Sequence, residues 1–166
     1  MKYQKMNYRE YKRASLRHYN TCQYLCNKIS TLSDKGSEQV RKKELIHNVY
    51  YLSGYIIETL LSYILFSTLN DNKDVELSDH YKSTQFKTHD LNKKIYYLQN
   101  HKCLLDGITF IGKKHSNKKF RQLFNNWNVQ YRYEQPIFCN KFTEDDIMKY
   151  INEIGKMCEE INRRYY

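Results

Sequence analysis

"NVYYLSGYIIETLLSYILF", Asn48 to Phe66, carries one formal charge in nineteen residues, that of Glu58, within a chain that is otherwise polar and basic. Two states suit such a run: a membrane span, or the central helix of a protein core. Val49 to Leu69 has about the twenty residues a bilayer needs. Against a span, a carboxylate at the helix centre costs about 3 kcal/mol to insert. Ser53, Gly54, Thr59, Ser62 and Ser67 add no compensating hydrophobicity. The run also continues an amphipathic start, "EQVRKKELIHN". The sequence therefore predicts a core helix, apolar nearly all round because other helices surround it. Glu58 then needs a polar partner, since a carboxylate buried alone is costly. A Tyr hydroxyl, an Arg, a Lys or a backbone N–H from a neighbouring helix would serve; the functional alternative is a carboxylate lining a ligand cleft.

Outward from this run, five Gly and one Pro in 166 residues leave few helix breakers. The apolar spacing is mostly three and four, which predicts an all-α fold in one domain, residues 1–166, as an up-and-down bundle of about five helices. Tyr11, Ala14, His18, Cys22, Leu25 and Ile29 form one stripe, placing a first helix over Tyr3–Ser30. The second covers Ser37–Leu69 and would be about 48 Å long. "NDNKDVELSDHYKSTQFK" reads as a polar connection of the kind that is often mobile. Thr88 is the expected cap of a third helix that buries Leu91, Ile95 and Leu98. His101 to His115 is irregular. Ser116 is the expected cap of a fourth helix with Phe120, Leu123, Phe124 and Trp127 on one face. Pro136 marks an extended link. Thr143 followed by "EDD" sets up a helix start over Glu144–Arg164, where an acceptor and three acids meet free N–H groups.

The formal net charge is +10, which favours anionic partners such as nucleic acid, nucleotides, an acidic lipid surface or an acidic protein. The same Lys-, Asn-, Tyr- and Ile-rich composition would also follow from an AT-rich coding sequence. The five cysteines contain no C-x-x-C pair, and "MKYQKMNYREYKR" is too charged for a secretory leader, so a reduced, cytoplasmic protein is expected. Cys22 and Cys26, one helical turn apart without a His pair, read as core residues rather than metal ligands. No phosphate loop, H-E-x-x-H, EF-hand loop or G-x-S-x-G is present, and no metal or cofactor is expected. Lys113, Lys114, Lys118, Lys119, Arg121 and Arg132 lie between Gly112 and Tyr133 with no acid among them. Lysines here can meet phosphates, and Tyr131 and Tyr133 can stack bases, with Phe120 and Trp127 assigned to the core. A second basic group, Lys2, Lys5, Arg9, Lys12, Arg13 and Arg17, reads as a solvated face or a nucleic-acid surface.

The run "YYLSGYIIETLLSYIL" resembles the second core helix of HEPN domains (higher eukaryotes and prokaryotes nucleotide-binding). "SLRHYNTCQYLCNK" resembles the family's first helix, "THDLNKKIYYL" its His-Asp-Leu third-helix start, and "WNVQYRYE" with "TEDDIMKYINEIGKMCEEI" its closing segment. The resemblance implies a helical bundle, paired as a homodimer, in bacterial toxin–antitoxin, abortive-infection defence and nucleotidyltransferase-partner settings. Many members are metal-independent ribonucleases with an Arg, four to six residues, then a His late in the domain. A His moves the 2′-OH proton and an Arg holds the phosphate. Here Arg121 and Arg132 have no His after them, so the usual nuclease site is missing. The bare spacing recurs at Arg13–His18 and at Arg41–His47. Arg41 with His47 is the candidate catalytic pair, because His18 falls on the buried stripe. His89, with Asp90 in the His-Asp-Leu piece, is a candidate nucleotide contact. The expected function is RNA or nucleotide binding; the alternative is a non-catalytic subunit that holds a partner protein such as a nucleotidyltransferase. No membrane partner is expected.

Overall fold

The computed structural model describes residues 7–69, 74–84, 86–103, 115–133 and 142–165, and among these every regular element is helical. α1 covers Tyr8–Ser30, α2 Gly36–Leu69, α3 Asp79–Lys82, α4 Leu91–Asn100, α5 Lys118–Asn126 and α6 Glu144–Arg164. Among the described residues there are also single 3-10 turns at Val75–Leu77 and Val129–Arg132. The expected all-α bundle is the fold. Lys2, Lys5, Gly107, Gly112, Lys113, Lys114, Pro136 and Cys139 lie outside the described residues.

α2 is the axis of the bundle. Its 34 residues span about 51 Å at the standard rise. The pairs Ile56–Ile57, Leu60–Leu61 and Ile64–Leu65 are all at most 1% exposed. Successive residues on a helix point about 100° apart, so burial of such neighbours requires cover on several sides. α1 packs along α2, α6 contacts both, α4 covers a further side of α2, and α5 bridges α4 and α6. By length and composition α2 could cross a membrane, with mean hydropathy 1.4 over its most apolar window, but 61% of that window is buried within the protein itself. Its apolarity is therefore matched by packing partners.

Each flanking helix presents one stripe. Ile147, Tyr150, Ile151, Ile154, Cys158 and Ile161 of α6 are at most 3% exposed and recur every three or four residues. Leu91, Ile95 and Leu98 of α4 are buried as expected, and so are Phe120, Leu123, Phe124 and Trp127. Trp127 stands one residue beyond α5, and its indole N–H donates to the Tyr51 carbonyl at 3.0 Å. Gly54 makes that approach possible: a Cβ there would lie 1.8 Å from the indole ring.

Two caps differ from expectation. Asp90, not Thr88, caps α4, accepting from the N–H groups of Asn92 and Lys93, while Thr88 Oγ1 accepts from the Asp90 N–H. Asn117, not Ser116, caps α5 through the N–H groups of Lys119 and Phe120. Thr143 caps α6 as expected, in a full capping box with Asp146. The segment between α2 and α4 is also more structured than a plain connection: Val75 and Phe86 are buried at 1% and 3% exposure, anchoring the chain around α3.

Candidate functional site

Tyr51, Tyr55, Glu58 and Ser62 follow one another at steps of four, three and four, forming a polar strip down the apolar α2. Three other parts of the chain converge on it. α1 contributes Tyr11 and His18, two turns apart. The connection after α2 brings Tyr81, Phe86 and Lys87. The start of α4 brings Thr88 and His89, with Lys94 one turn inside the helix. Tyr11, Glu58, Ser62, Tyr81, Phe86, Lys87, Thr88, His89 and Lys94 wall a cavity of about 300 Å³.

Glu58 is the centre of its electrostatics. His89 Nδ1 donates to Oε2 at 2.9 Å, and Lys94 Nζ lies 3.8 Å from Oε1. Lys94 is 4% exposed; its ammonium also donates to the Phe86 carbonyl at 2.8 Å and stands 3.9 Å above the Phe86 ring centroid. Burial pulls the Lys94 pKa below the usual lysine value, and the Glu58 carboxylate opposes that fall. The expected polar mate of Glu58 is thus a lysine, joined by a histidine that had been singled out for another reason. Burial raises the Tyr11 hydroxyl pKa, with Tyr81 and Glu58 adding to the effect.

His89 also borders a second cavity of about 300 Å³, lined by Thr88, Asp90, Asn92, Asn125, Trp127, Asn128 and Val129 among others. Asn92 Nδ2 donates to Asn125 Oδ1 at 3.2 Å across it. The Tyr55 ring packs edge-on to His89 at 6.2 Å and to Trp127 at 5.4 Å between centroids. His18 approaches Tyr55 at 6.0 Å, and burial, followed by Arg17, lowers its pKa.

The other candidate residues are dispersed. Arg41 is exposed, whereas His47 is 7% exposed and its Nε2 is bound to the Tyr131 carbonyl. Six residues on a helix put them about 120° apart in rotation and about 9 Å apart in rise, so they do not share a face. Lys119 is engaged with both Asp146 oxygens at 2.8 Å. Arg121 closes the turn before α5 by donating to the His115 and Ser116 carbonyls. Tyr131 packs edge-on against Tyr50 at 5.6 Å. Lys118, Arg132 and Tyr133 remain exposed, with the Arg132 guanidinium 5.7 Å from the Tyr133 ring centroid. Arg132 is also near enough to Tyr55 to oppose the rise of its pKa.

Sequence reasoning missed Lys94 and the Asn92–Asn125 pair. The available signal was Lys94 one helical turn before Leu98 and three residues after Leu91, on a face that the apolar pattern had already assigned to the core. Comparison with known proteins finds no matching family model, no matching curated protein and no matching solved structure.

Proposed function

We propose that the chain is a HEPN-like helical protein that binds RNA or nucleotide without cleaving it. The observation that carries this reading is His89, whose side chain is 58% exposed, standing between two cavities of about 300 Å³ each. Glu58 and Lys94 wall one cavity, and the carboxamides of Asn92, Asn125 and Asn128 line the other. Such groups suit the donor and acceptor edges of bases, while Lys87, Lys118 and Arg132 supply exposed cations for phosphate. Glu58 and His89 come from two separate stretches on which the HEPN resemblance rests, and the fold brings the two side chains into contact. The separation of Arg41 from His47 favours binding over cleavage. The resemblance extends the reading to a homodimer in a bacterial defence or toxin–antitoxin setting.

Titration of the full chain with single-stranded RNA and with nucleoside monophosphates tests the reading. Binding is expected at low salt and should weaken steeply as salt rises. His89→Ala should bind about tenfold more weakly, the loss of roughly one charge-assisted hydrogen bond. Parent, Arg41→Ala and His47→Ala should all leave the RNA intact. If neither ligand binds at low salt, the reading fails in favour of a subunit that holds a partner protein. RNA cleavage by the parent that disappears in Arg41→Ala or His47→Ala would overturn the non-cleaving half.

A further inference from the structure

We infer that the cavity between α1, α2 and α4 is a guanine-base subsite in which Glu58 determines specificity. This deepens the nucleotide-binding reading and rests on it. An ionised carboxylate offers about four acceptor positions. Among the described residues, Glu58 meets two donors there, His89 on Oε2 at 2.9 Å and Lys94 near Oε1 at 3.8 Å. Each oxygen therefore keeps acceptor capacity, and the side chain, 15% exposed, lines the cavity.

The order of these groups carries the chemistry. Lys94 stands beside Oε1 and His89 beside Oε2, so the wall reads donor, acceptor, acceptor, donor, and Lys94 with the two Glu58 oxygens makes a donor, acceptor, acceptor edge within it. The Watson–Crick edge of guanine reads acceptor, donor, donor, through O6, N1–H and the 2-amino group. The two edges are complementary. Adenine and cytosine each place a ring-nitrogen lone pair beside a single amino donor, and uracil has one N–H between two carbonyls. Any of these turns a lone pair toward the carboxylate, leaving an acceptor facing an acceptor.

The rest of the cavity suits a neutral planar ring attached to an anion. Tyr11 and Tyr81 are aromatic walls; Tyr11 has one face stacked on Phe66 at 5.6 Å and 8°. The Lys87 ammonium, 4.7 Å from the Tyr81 ring centroid, belongs to an exposed residue at the cavity and can meet a phosphate there. Glu58 and Lys94 compensate each other's charge, so the base itself needs none.

The test is calorimetric titration of the full chain with guanosine, inosine, adenosine, cytidine and uridine monophosphates. A second arm uses short single-stranded RNAs with and without guanine. Guanosine monophosphate should bind about tenfold to a hundredfold more tightly than the adenosine, cytidine and uridine forms, the discrimination one bidentate pair provides. Inosine monophosphate, which lacks only the 2-amino group, should lose about tenfold. Glu58→Gln, which turns one acceptor into a donor, should erase the preference while retaining the helical circular-dichroism spectrum. Should that variant lose helicity, the inosine-to-guanosine ratio in the parent decides, and a ratio near one overturns the inference. Competition between guanosine monophosphate and guanine-containing RNA assigns the base to RNA; nucleotide binding alone assigns it to the free ligand. Equal binding of all five nucleotides, a preference for another base, or RNA binding indifferent to guanine overturns the guanine inference and leaves nucleotide or RNA binding standing. No binding at all overturns both.

Discussion

Gly54 and Gly155 occupy comparable positions on two core helices, yet their neighbours differ in a way that predicts different responses to one added methyl group. At Gly54 a Cβ would fall 1.8 Å from the Trp127 indole, whose N–H is tied to the Tyr51 carbonyl and whose ring is buried. Gly54→Ala should therefore lose about 2 kcal/mol, with overpacking outweighing the gain in helix propensity of about 1 kcal/mol. At Gly155 the obstruction is the hydroxyl end of the half-buried Tyr19, 2.2 Å away. That side chain can swing outward, so Gly155→Ala should stay within about 1 kcal/mol of the parent. Urea denaturation of the two variants checks the ordering, and equal losses would refute the role given to Trp127. Glu58 shows what was legible at this scale. One carboxylate in an apolar run implied a polar partner, and the sequence offered a Tyr hydroxyl, an Arg, a Lys or a backbone N–H without choosing among them or including the His89 imidazole that donates at 2.9 Å. It could not name Lys94, which lies 36 positions away in sequence and becomes a neighbour through the burial of Phe86 and Leu91.

Helix starts and stops were legible in proportion to how uniquely each cap is specified. Thr143 stands alone before three acids, and α6 begins at Glu144 and ends at Arg164, the expected bounds. Thr88 to Asp90 and Ser116–Asn117 each offer two competent acceptors. In both, the residue nearer the helix serves, because its oxygen reaches two N–H groups at once. The α6 box also joins two elements. Burial opposes ionisation of Asp146, but Lys119 together with the Thr143 backbone and side-chain donors outweighs it, and the carboxyl pKa falls below its usual value. Thr143→Ala should lower stability by about 1 kcal/mol in urea titrations near neutral pH. Because the folded-state pKa of Asp146 is depressed, its contribution is present above the ordinary carboxylate value of about 4 and is lost as pH falls through the folded value. An unchanged midpoint in Thr143→Ala would show that α6 is held by its apolar stripe alone.

For the molecule as a whole, the all-α architecture was legible because α1, α4, α5 and α6 each show helical periodicity around an α2 that is apolar nearly all round, whereas the grouping of Glu58, His89 and Lys94 depends on how those helices meet. The seventeen tyrosines link the same packing to a measurable response. Burial raises the hydroxyl pKa of Tyr11, Tyr50, Tyr55, Tyr63 and Tyr150, and Tyr50 and Tyr150 are wholly buried beside each other at 6.5 Å. Burial likewise pushes the Cys26 thiol up to about 11 and the Cys158 thiol up to about 12, with Glu144 and Glu159 contributing respectively. Each of these groups holds its proton more tightly folded than unfolded. Their stabilisation is complete below the unfolded values, about 8.5 for Cys and 10 for Tyr, and is lost as pH rises through the folded values. Lys94 acts in the opposite sense: its lowered pKa relieves the cost of a buried charge as pH rises, but it is one group against many. Stability should therefore decline from about pH 9 upward. Following tyrosinate absorbance and helical circular dichroism together should show the part of the absorbance that belongs to the buried set rising with the loss of the helix signal, because the buried hydroxyls ionise only as the bundle opens. Smooth ionisation of nearly all tyrosines around pH 10 with the helix signal intact would mean that these rings are open to water, and the aromatic packing around Tyr50 and Tyr150 would have to be redrawn.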